Sequence, residues 1–189
     1  MKRIDILRGA VLAATVLGTG GLLAGGHEEG RSGRLPTVAN AAWQAECTSC
    51  HQAYHPGLLP ARSWQALMGG LDRHFGENAA LDAPTRDEIT RFLVANAADR
   101  NGNRRSAKIA ASIPAAAAPL RISETSYIRA KHDEIRAEVW KRPAVGSAAN
   151  CAACHRTAVE GNFSEHNVTI PKAGAATVAG GPAGAPIRR

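Results

Sequence analysis

The apolar residues of this chain recur at helical spacing. One apolar face runs from Pro84 to Ala98, and it is formed by Ile89, Phe92, Leu93 and Ala97. Pro84 suits the first turn of a helix, where no backbone N–H donor is needed. A second stripe, formed by Trp64, Leu67, Met68 and Leu71, predicts a helix that ends by Gly76.

A third stripe lies between Glu124 and Trp140, where Ile128, His132, Ile135 and Val139 share one helical face. Pro143 ends this predicted helix, because proline cannot continue the hydrogen-bond ladder. No run of residues alternates between apolar and polar character, as a half-buried strand would require. The predicted fold class is therefore mostly α, with two small units and long loops.

Breaks in these patterns divide the chain. Residues 42–98 make the first unit and residues 123–171 make the second. Between them, residues 99–122 are rich in Asn, Gly, Pro and Ala, and this composition predicts a linker. Residues 172–189 are dominated by Ala, Gly and Pro, so we expect a disordered tail there.

The N-terminus has the pattern of an export signal. Three basic residues among the first eight are followed by an uncharged stretch from Gly9 to Gly25. Because that stretch is short and weakly apolar for a membrane span, residues 1–25 are expected to be a cleaved signal peptide, with a retained anchor as the alternative. Ala24 and Ala39-Asn40-Ala41 both offer small residues for cleavage. The signal predicts a periplasmic protein without stable membrane insertion after cleavage.

The composition gives little material for a core made of protein alone. Phe, Trp and Tyr total eight among 189 residues, whereas glycine alone numbers 19. Small domains with such weak cores usually need a disulfide, a metal or a large cofactor. The net charge of +7 at pH 7 comes without a long basic run or an aromatic platform, so nucleic acid is not an expected partner.

All four cysteines belong to two Cys-x-x-Cys-His segments, Cys47-Thr48-Ser49-Cys50-His51 and Cys151-Ala152-Ala153-Cys154-His155. This spacing lets each thiol add to one vinyl group of a haem, while the following histidine binds the iron. The sequence therefore predicts two covalently bound haem c groups. Their attachment residues are Cys47, Cys50, Cys151 and Cys154, and their first iron ligands are His51 and His155.

Two other uses of paired cysteines fit less well. A four-cysteine zinc ribbon has about 15 to 20 residues between its pairs. Here Cys50 and Cys151 are much farther apart, and a histidine follows each pair. A thioredoxin-like site would need a βαβ context that the hydrophobic pattern lacks.

The second axial ligand of each iron must come from elsewhere in the chain. Met68 is the only methionine beyond the initiator, so histidine is the expected ligand type. His74 follows His51 by as many residues as His132 precedes His155. His74 and His132 are therefore the predicted distal ligands.

Two further histidines stay open as alternatives. His166 is the second choice for the iron at the second motif, and His55 is expected near the edge of the first haem. The loop from Pro56 to Pro60 is expected to return a backbone carbonyl to the Nδ1–H of His51, since such a bond commonly orients a ligating imidazole.

These residues resemble the bacterial dihaem cytochrome c (DHC) family. The resemblance spans roughly residues 42–171 and rests on Trp43-Gln-Ala-Glu-Cys47-Thr-Ser-Cys50-His51, Leu58-Leu59-Pro60-Ala-Arg-Ser-Trp64, His74-Phe-Gly-Glu-Asn78, Lys131-His132-Asp-Glu-Ile135, Asn150-Cys151-Ala-Ala-Cys154-His155 and Ile170-Pro171. The first unit is also similar in outline to a class I cytochrome c. It departs from that class in having His74 where a methionine ligand would be expected.

The resemblance implies a periplasmic, low-potential electron carrier with bis-His ligation of both irons. It also implies two redox partners, a membrane b-type cytochrome as electron donor and a small oxygen-binding monohaem cytochrome c as acceptor. A dihaem redox enzyme, such as a peroxidase, is the alternative, but it needs a vacant or displaceable iron ligand. With a distal histidine available for each haem, we expect a carrier and not an enzyme, with no catalytic residue.

Overall fold

The computed structural model describes residues 34–175 of the chain. The α-helices of this range are α1 (Ala41–Cys47), α2 (Ala61–Met68), α3 (Ala83–Ala95), α4 (Arg104–Ala111), α5 (Ser126–Ala130) and α6 (Ala137–Trp140). Short 3-10 turns lie between and after them, at Pro56–Leu58, Leu71–Arg73, Ile122–Glu124, Cys151–Ala153, Ala158–Glu160 and Glu165–Asn167. The predicted signal peptide at residues 1–25 lies outside the described residues, as do residues 176–189 of the predicted tail.

The mostly α fold class is confirmed. Within residues 34–175 the extended backbone makes only three isolated β-bridges and no strand. No helix in the same range has the length and apolar character needed to cross a bilayer. The finer similarity of the first unit to a class I cytochrome c stays a prediction, and so do the boundaries of the two units.

The first core lies where α2 packs on α3. Its buried side chains include Trp43, Leu59, Trp64, Met68, Ile89 and Leu93. Leu59 and Ile89 are completely buried, and burying one such side chain contributes about 1.5–3 kcal/mol. Trp64 and Met68 of the predicted stripe are buried on α2. The helix ends at Met68, within the predicted limit of Gly76. Gly69 and Gly70 follow directly, and glycine is a poor helix former.

Side-chain caps fix the starts of two helices around this core. The Asn40 side chain accepts a hydrogen bond from the backbone N–H of Trp43 at 2.7 Å, which begins α1. The Asp82 carboxylate does the same for Thr85 at 3.0 Å and begins α3. Asn40 also donates to Glu88 on α3 at 2.9 Å, so that one residue both caps α1 and ties it to α3.

The predicted linker at residues 99–122 contains α4, and its role as a boundary between the two units stays a prediction. Ile109 of α4 is fully buried in a second core with Leu35, Leu58 and Ile113. The partly buried Tyr127 and Phe163 from the second unit pack on the same cluster. Helix α4 therefore joins the two units through apolar contact. Only Ser106 and Ile109 of this helix are buried, so its sequence shows no apolar stripe from which the helix could be predicted.

The continuous helix predicted from Glu124 to Trp140 is wrong, since α5 ends at Ala130 and α6 begins at Ala137. In an α-helix the carbonyl of Ile128 would accept from the backbone N–H of His132. Here it accepts from the His132 side chain instead, with 2.7 Å between Nδ1 and the oxygen. The backbone N–H of His132 turns to the carbonyl of Arg129. The side chain of His132 thus takes the acceptor that a continuous helix would give to its backbone N–H. The helix is interrupted here, and His132 lies in a turn.

Candidate functional site

The first Cys-x-x-Cys-His segment lies at the end of α1. The helix ends at Cys47, and the chain turns through Cys50 to His51. Cys47 is partly buried against the first core, whereas Cys50 is exposed. One thiol therefore lies against the core and the other lies at the surface. A haem attached to both would have its edge between these two positions.

His51 and His74 face each other at this site. Their ring centroids lie 6.0 Å apart and the ring planes differ by 28°. With metal–nitrogen bonds of about 2 Å, two imidazoles on opposite sides of one metal ion hold their centroids roughly 6 Å apart. The structure thus brings together the two histidines that the sequence assigned to the first iron, and their separation fits one iron between them.

The turn after α2 positions His74. The 3-10 turn Leu71–Arg73 ends at His74, and Phe75 follows with a φ of +53°. A left-handed backbone is uncommon for a bulky residue, and the ring of Phe75 is held between two neighbours. Its centroid lies 4.8 Å from that of His74, and the Arg121 guanidinium lies 4.1 Å from the same centroid. These contacts place an aromatic ring beside His74 and a cation beside that ring.

The second site has the same separation with a different angle. Cys151 to Ala153 form a 3-10 turn, and the N–H of His155 donates to the carbonyl of Cys151 at 2.8 Å. The ring centroids of His132 and His155 lie 6.0 Å apart, with ring planes 78° apart. The break between α5 and α6 is what places His132 here. Trp140 flanks it, with 5.9 Å between ring centroids.

Hydrogen bonds fix which nitrogen of two imidazoles can bind a metal. The Nδ1 atoms of His51 and His132 lie 2.7 Å from the backbone carbonyls of Gln52 and Ile128. Because a carbonyl only accepts, each Nδ1 carries the proton and each Nε2 keeps its lone pair. The predicted partner of His51, a carbonyl between Pro56 and Pro60, is wrong, because its own neighbour Gln52 is closer in the turn.

One partly buried histidine of each pair, His74 and His155, is shifted toward the neutral form. Burial, followed by the nearby His51 and Arg121, lowers the pKa of His74. Burial, followed by His132 and Arg105, lowers the pKa of His155. A histidine must lose its proton to ligate a metal, so both sites favour the ligating form.

Burial has the opposite effect on the cysteines. Burial and then the charge of Glu46 raise the pKa of the Cys47 thiol to about 11, and burial chiefly raises that of Cys151 to about 11. All four cysteines lie in the described part of the chain, and none of them pairs with another in a disulfide there. A thioether carries no charge at any pH, so attachment to a haem suits the partly buried positions of Cys47 and Cys151.

The alternative ligands are placed elsewhere. The Nδ1 of His55 accepts from the N–H of Gly57 at 2.9 Å, and its Nε2 lies 2.7 Å from the carbonyl of Pro36, so both nitrogens are engaged. Met68 is buried in the first core. His166 is exposed and lines a surface cavity of about 310 Å³ whose other lining residues are Arg156, Thr157, Asn167 and Thr169.

Tyr54 is a site residue that the sequence reasoning missed. Its ring lies against His51, with 5.0 Å between centroids, and its hydroxyl donates to the carbonyl of Ala149 at 2.8 Å. Burial, followed by the nearby Cys151, raises the pKa of its phenol to about 12, so that the hydroxyl stays a donor. Its position close after His51 was the one available signal, and nothing in the sequence relates Tyr54 to Ala149.

The comparisons with known proteins agree with this arrangement. The family model of dihaem cytochrome c matches residues 43–163. The solved diheme cytochrome c from Rhodobacter sphaeroides is 43% identical, covers 67% of this chain and 98% of its own, and superposes with a TM-score of 0.58. The diheme cytochrome type c from Shewanella baltica OS155 is 38% identical, covers 71% of this chain and 95% of its own, and has a TM-score of 0.59. No curated protein sequence matches the chain.

Both motifs fall within the matched residues, together with His74 and His132. The matched span exceeds half of the chain, and the likeness to the solved relatives extends over nearly their whole length. The chain therefore belongs to the dihaem cytochrome c family and carries two covalently bound haem c groups.

Proposed function

We propose that this protein is a low-potential electron carrier in which both irons are bis-His ligated. His51 and His74 ligate the iron attached through Cys47 and Cys50. His132 and His155 ligate the iron attached through Cys151 and Cys154. The family supports electron transfer as the general role, and each haem supplies a one-electron Fe(III)/Fe(II) couple.

The observation that carries the proposal is the equal separation of the two histidine pairs. In both pairs the ring centroids are 6.0 Å apart, although the distal histidine follows the motif in one unit and precedes it in the other. Two unrelated turns thus produce the spacing that one iron needs. A carrier benefits from two fixed strong ligands because little has to move when the charge of the iron changes.

The backbone hydrogen bonds support the same role. A proton held on Nδ1 of His51 and of His132 orients each ring and raises the basicity of Nε2. A more basic ligand stabilises ferric iron and so lowers the reduction potential. A peroxidase-like enzyme would instead need one weak ligand, and Met68, the only sulfur candidate beyond the initiator and the cysteines, lies in the core of the first unit.

Visible and magnetic circular dichroism spectra of the oxidised protein test this ligation. We expect two low-spin haems, no far-red band of the kind given by methionine-ligated ferric haem, and no binding of CO by the reduced protein. The variant Met68→Leu, in which a similar apolar volume is kept, should give the same spectra. A methionine-type band that disappears in Met68→Leu would contradict the assignment of His74.

We propose that the protein is exported and that its signal is cut near Ala24. Leu35 is 1% exposed in the second core, and its N–H donates to the carbonyl of Gly161 at 2.8 Å. The carbonyl of Pro36 is hydrogen-bonded to the Nε2 of His55. Cleavage at Ala39-Asn40-Ala41 would remove these contacts, so they support the earlier site. Mass spectrometry of the secreted holoprotein measures its first residue directly, and a start beyond Pro36 would contradict the earlier cut.

The proposed partners are redox proteins, a membrane b-type cytochrome as donor and a small oxygen-binding monohaem cytochrome c as acceptor. After removal of residues 1–24 the chain keeps a net charge of +5, before the haem propionates are counted, and this charge favours a partner with an acidic face. The rate of electron transfer to such a cytochrome should therefore fall as the salt concentration rises, since salt screens exposed charges. A rate that is independent of salt would exclude electrostatic steering as the basis of recognition.

A further inference from the structure

Tyr54 connects the two haem sites directly. Its ring contacts the proximal ligand of the first site, His51, with 5.0 Å between centroids and 37° between planes. Its hydroxyl donates to the carbonyl of Ala149, which is two residues before Cys151 at the second site. One side chain therefore touches a ligand of one iron and the attachment segment of the other.

The bond to Ala149 lies at a point that organises the second motif. The same carbonyl accepts from the N–H of Cys151 at 3.0 Å, and the carbonyl of Cys151 accepts from the N–H of His155 at 2.8 Å. Tyr54 thus holds the first member of a short chain of hydrogen bonds that ends at an iron ligand. A movement of Ala149 would be passed through these bonds to His155.

The segment after His51 belongs to the first unit. Tyr54 is partly buried and packs against the first core. Its hydroxyl is the group through which this segment reaches the second motif.

We propose that Tyr54 is a positioning residue that sets the coupling between the two haems, an inference that rests on the proposed electron-transfer function. By holding Ala149 against the His51 segment, it fixes the distance and orientation of one attachment segment relative to the other. One electron leaves the ferrous iron at one site and reduces the ferric iron at the other. No bond forms or breaks and no proton moves, so the geometry between the sites governs the rate.

The test compares the holoprotein with its Tyr54→Phe variant, which keeps the ring on His51 and loses only the hydroxyl. Hydrogen exchange of the Cys151 and His155 amides should become about fivefold faster, the factor that corresponds to the loss of a hydrogen bond worth about 1 kcal/mol. Intramolecular electron exchange, measured from NMR line shapes of the half-reduced protein, should become slower. The spectra should stay low-spin, because both ligands of each iron remain.

Tyr127→Phe is the matched control, since Tyr127 is the only other tyrosine of the sequence and its ring packs on the second core. This variant should leave both rates unchanged. Equal electron-exchange rates in Tyr54→Phe and the parent would overturn the proposal, whether or not hydrogen exchange is faster. The spectra of the parent test the ligands separately, so a failure of the proposed ligation and a failure of the Tyr54 role give different results.

Discussion

The imidazole planes of His132 and His155 lie 78° apart, whereas those of His51 and His74 differ by only 28°. Nearly parallel imidazoles remove the degeneracy of the two iron d orbitals that interact with them, and nearly perpendicular ones leave these orbitals close in energy. We therefore expect two different low-spin signals in the EPR spectrum of the oxidised protein. The first site should give a rhombic signal, and the second a highly anisotropic signal with one large g value.

Single-site variants assign these signals. His74→Ala should remove the rhombic signal and His132→Ala the anisotropic one. Two identical rhombic signals in the parent would contradict the difference in ring angle.

Replacement of His132 by Ala should open one iron only. Half of the haem should become high-spin and bind CO after reduction, and the potential of that haem should rise because a strong ligand of ferric iron is lost. Added imidazole should restore the low-spin spectrum, which a collapsed site would not allow. Optical titration with CO measures the fraction of haem that opens.

His166→Ala is the control for this variant, because His166 is exposed and was the alternative ligand. It should leave both haems six-coordinate. If His166→Ala opens one iron while His132→Ala leaves both low-spin, then the distal ligand of the second site is His166.

Helix α4 should contribute to stability as a core element. Ile109 is completely buried in the second core, so Ile109→Ala should lower the free energy of unfolding by about 2–5 kcal/mol. Lys108→Ala on the exposed face of α4 should change it by no more than about 0.5 kcal/mol. Denaturant unfolding of the holoprotein measures both, and equal effects would mean that α4 does not join the two units.

His55 should make stability depend on pH. Burial lowers its pKa below the ordinary 6.5, a shift that its bond to Pro36 only partly offsets. Its stabilising contribution is complete above about pH 6.5 and is lost as the pH falls from there towards the lowered folded value, because the unfolded chain binds a proton that the folded chain excludes.

Unfolding free energies at about pH 7.5 and pH 5.5 measure this effect. In His55→Asn the side-chain oxygen takes the position of Nδ1 and can still accept from the N–H of Gly57, but it cannot titrate, so the stability of this variant should fall less between the two pH values. His166→Asn removes an exposed histidine and should keep the pH dependence of the parent. A parent whose stability does not change between the two pH values would contradict the role of His55.

The sequence by itself determined the cofactor chemistry, because two Cys-x-x-Cys-His segments are local patterns that carry their own chemical requirement. It also predicted the buried face of α3 correctly, since Ile89 and Leu93 are spaced one helical turn apart and both are buried. His74 and His132 were predicted as distal ligands from their positions and their equal spacing from the two motifs, with His55 and His166 left open, and this assignment stays a prediction. Such features depend on residues close together in the sequence or on residue counts.

The tertiary structure decided what long-range contacts control. Helix α4 has only Ser106 and Ile109 buried. Its role as a core element depends on the distant residues Leu35 and Leu58, which pack with Ile109. At the break before α6, the His132 side chain bonds to the carbonyl of Ile128, which the backbone N–H of His132 would occupy in a continuous helix. The bond from Tyr54 to Ala149 joins positions 95 residues apart, and no local pattern encodes it. Periodicity records which face of a helix is apolar, whereas the folded chain decides which distant group that face meets.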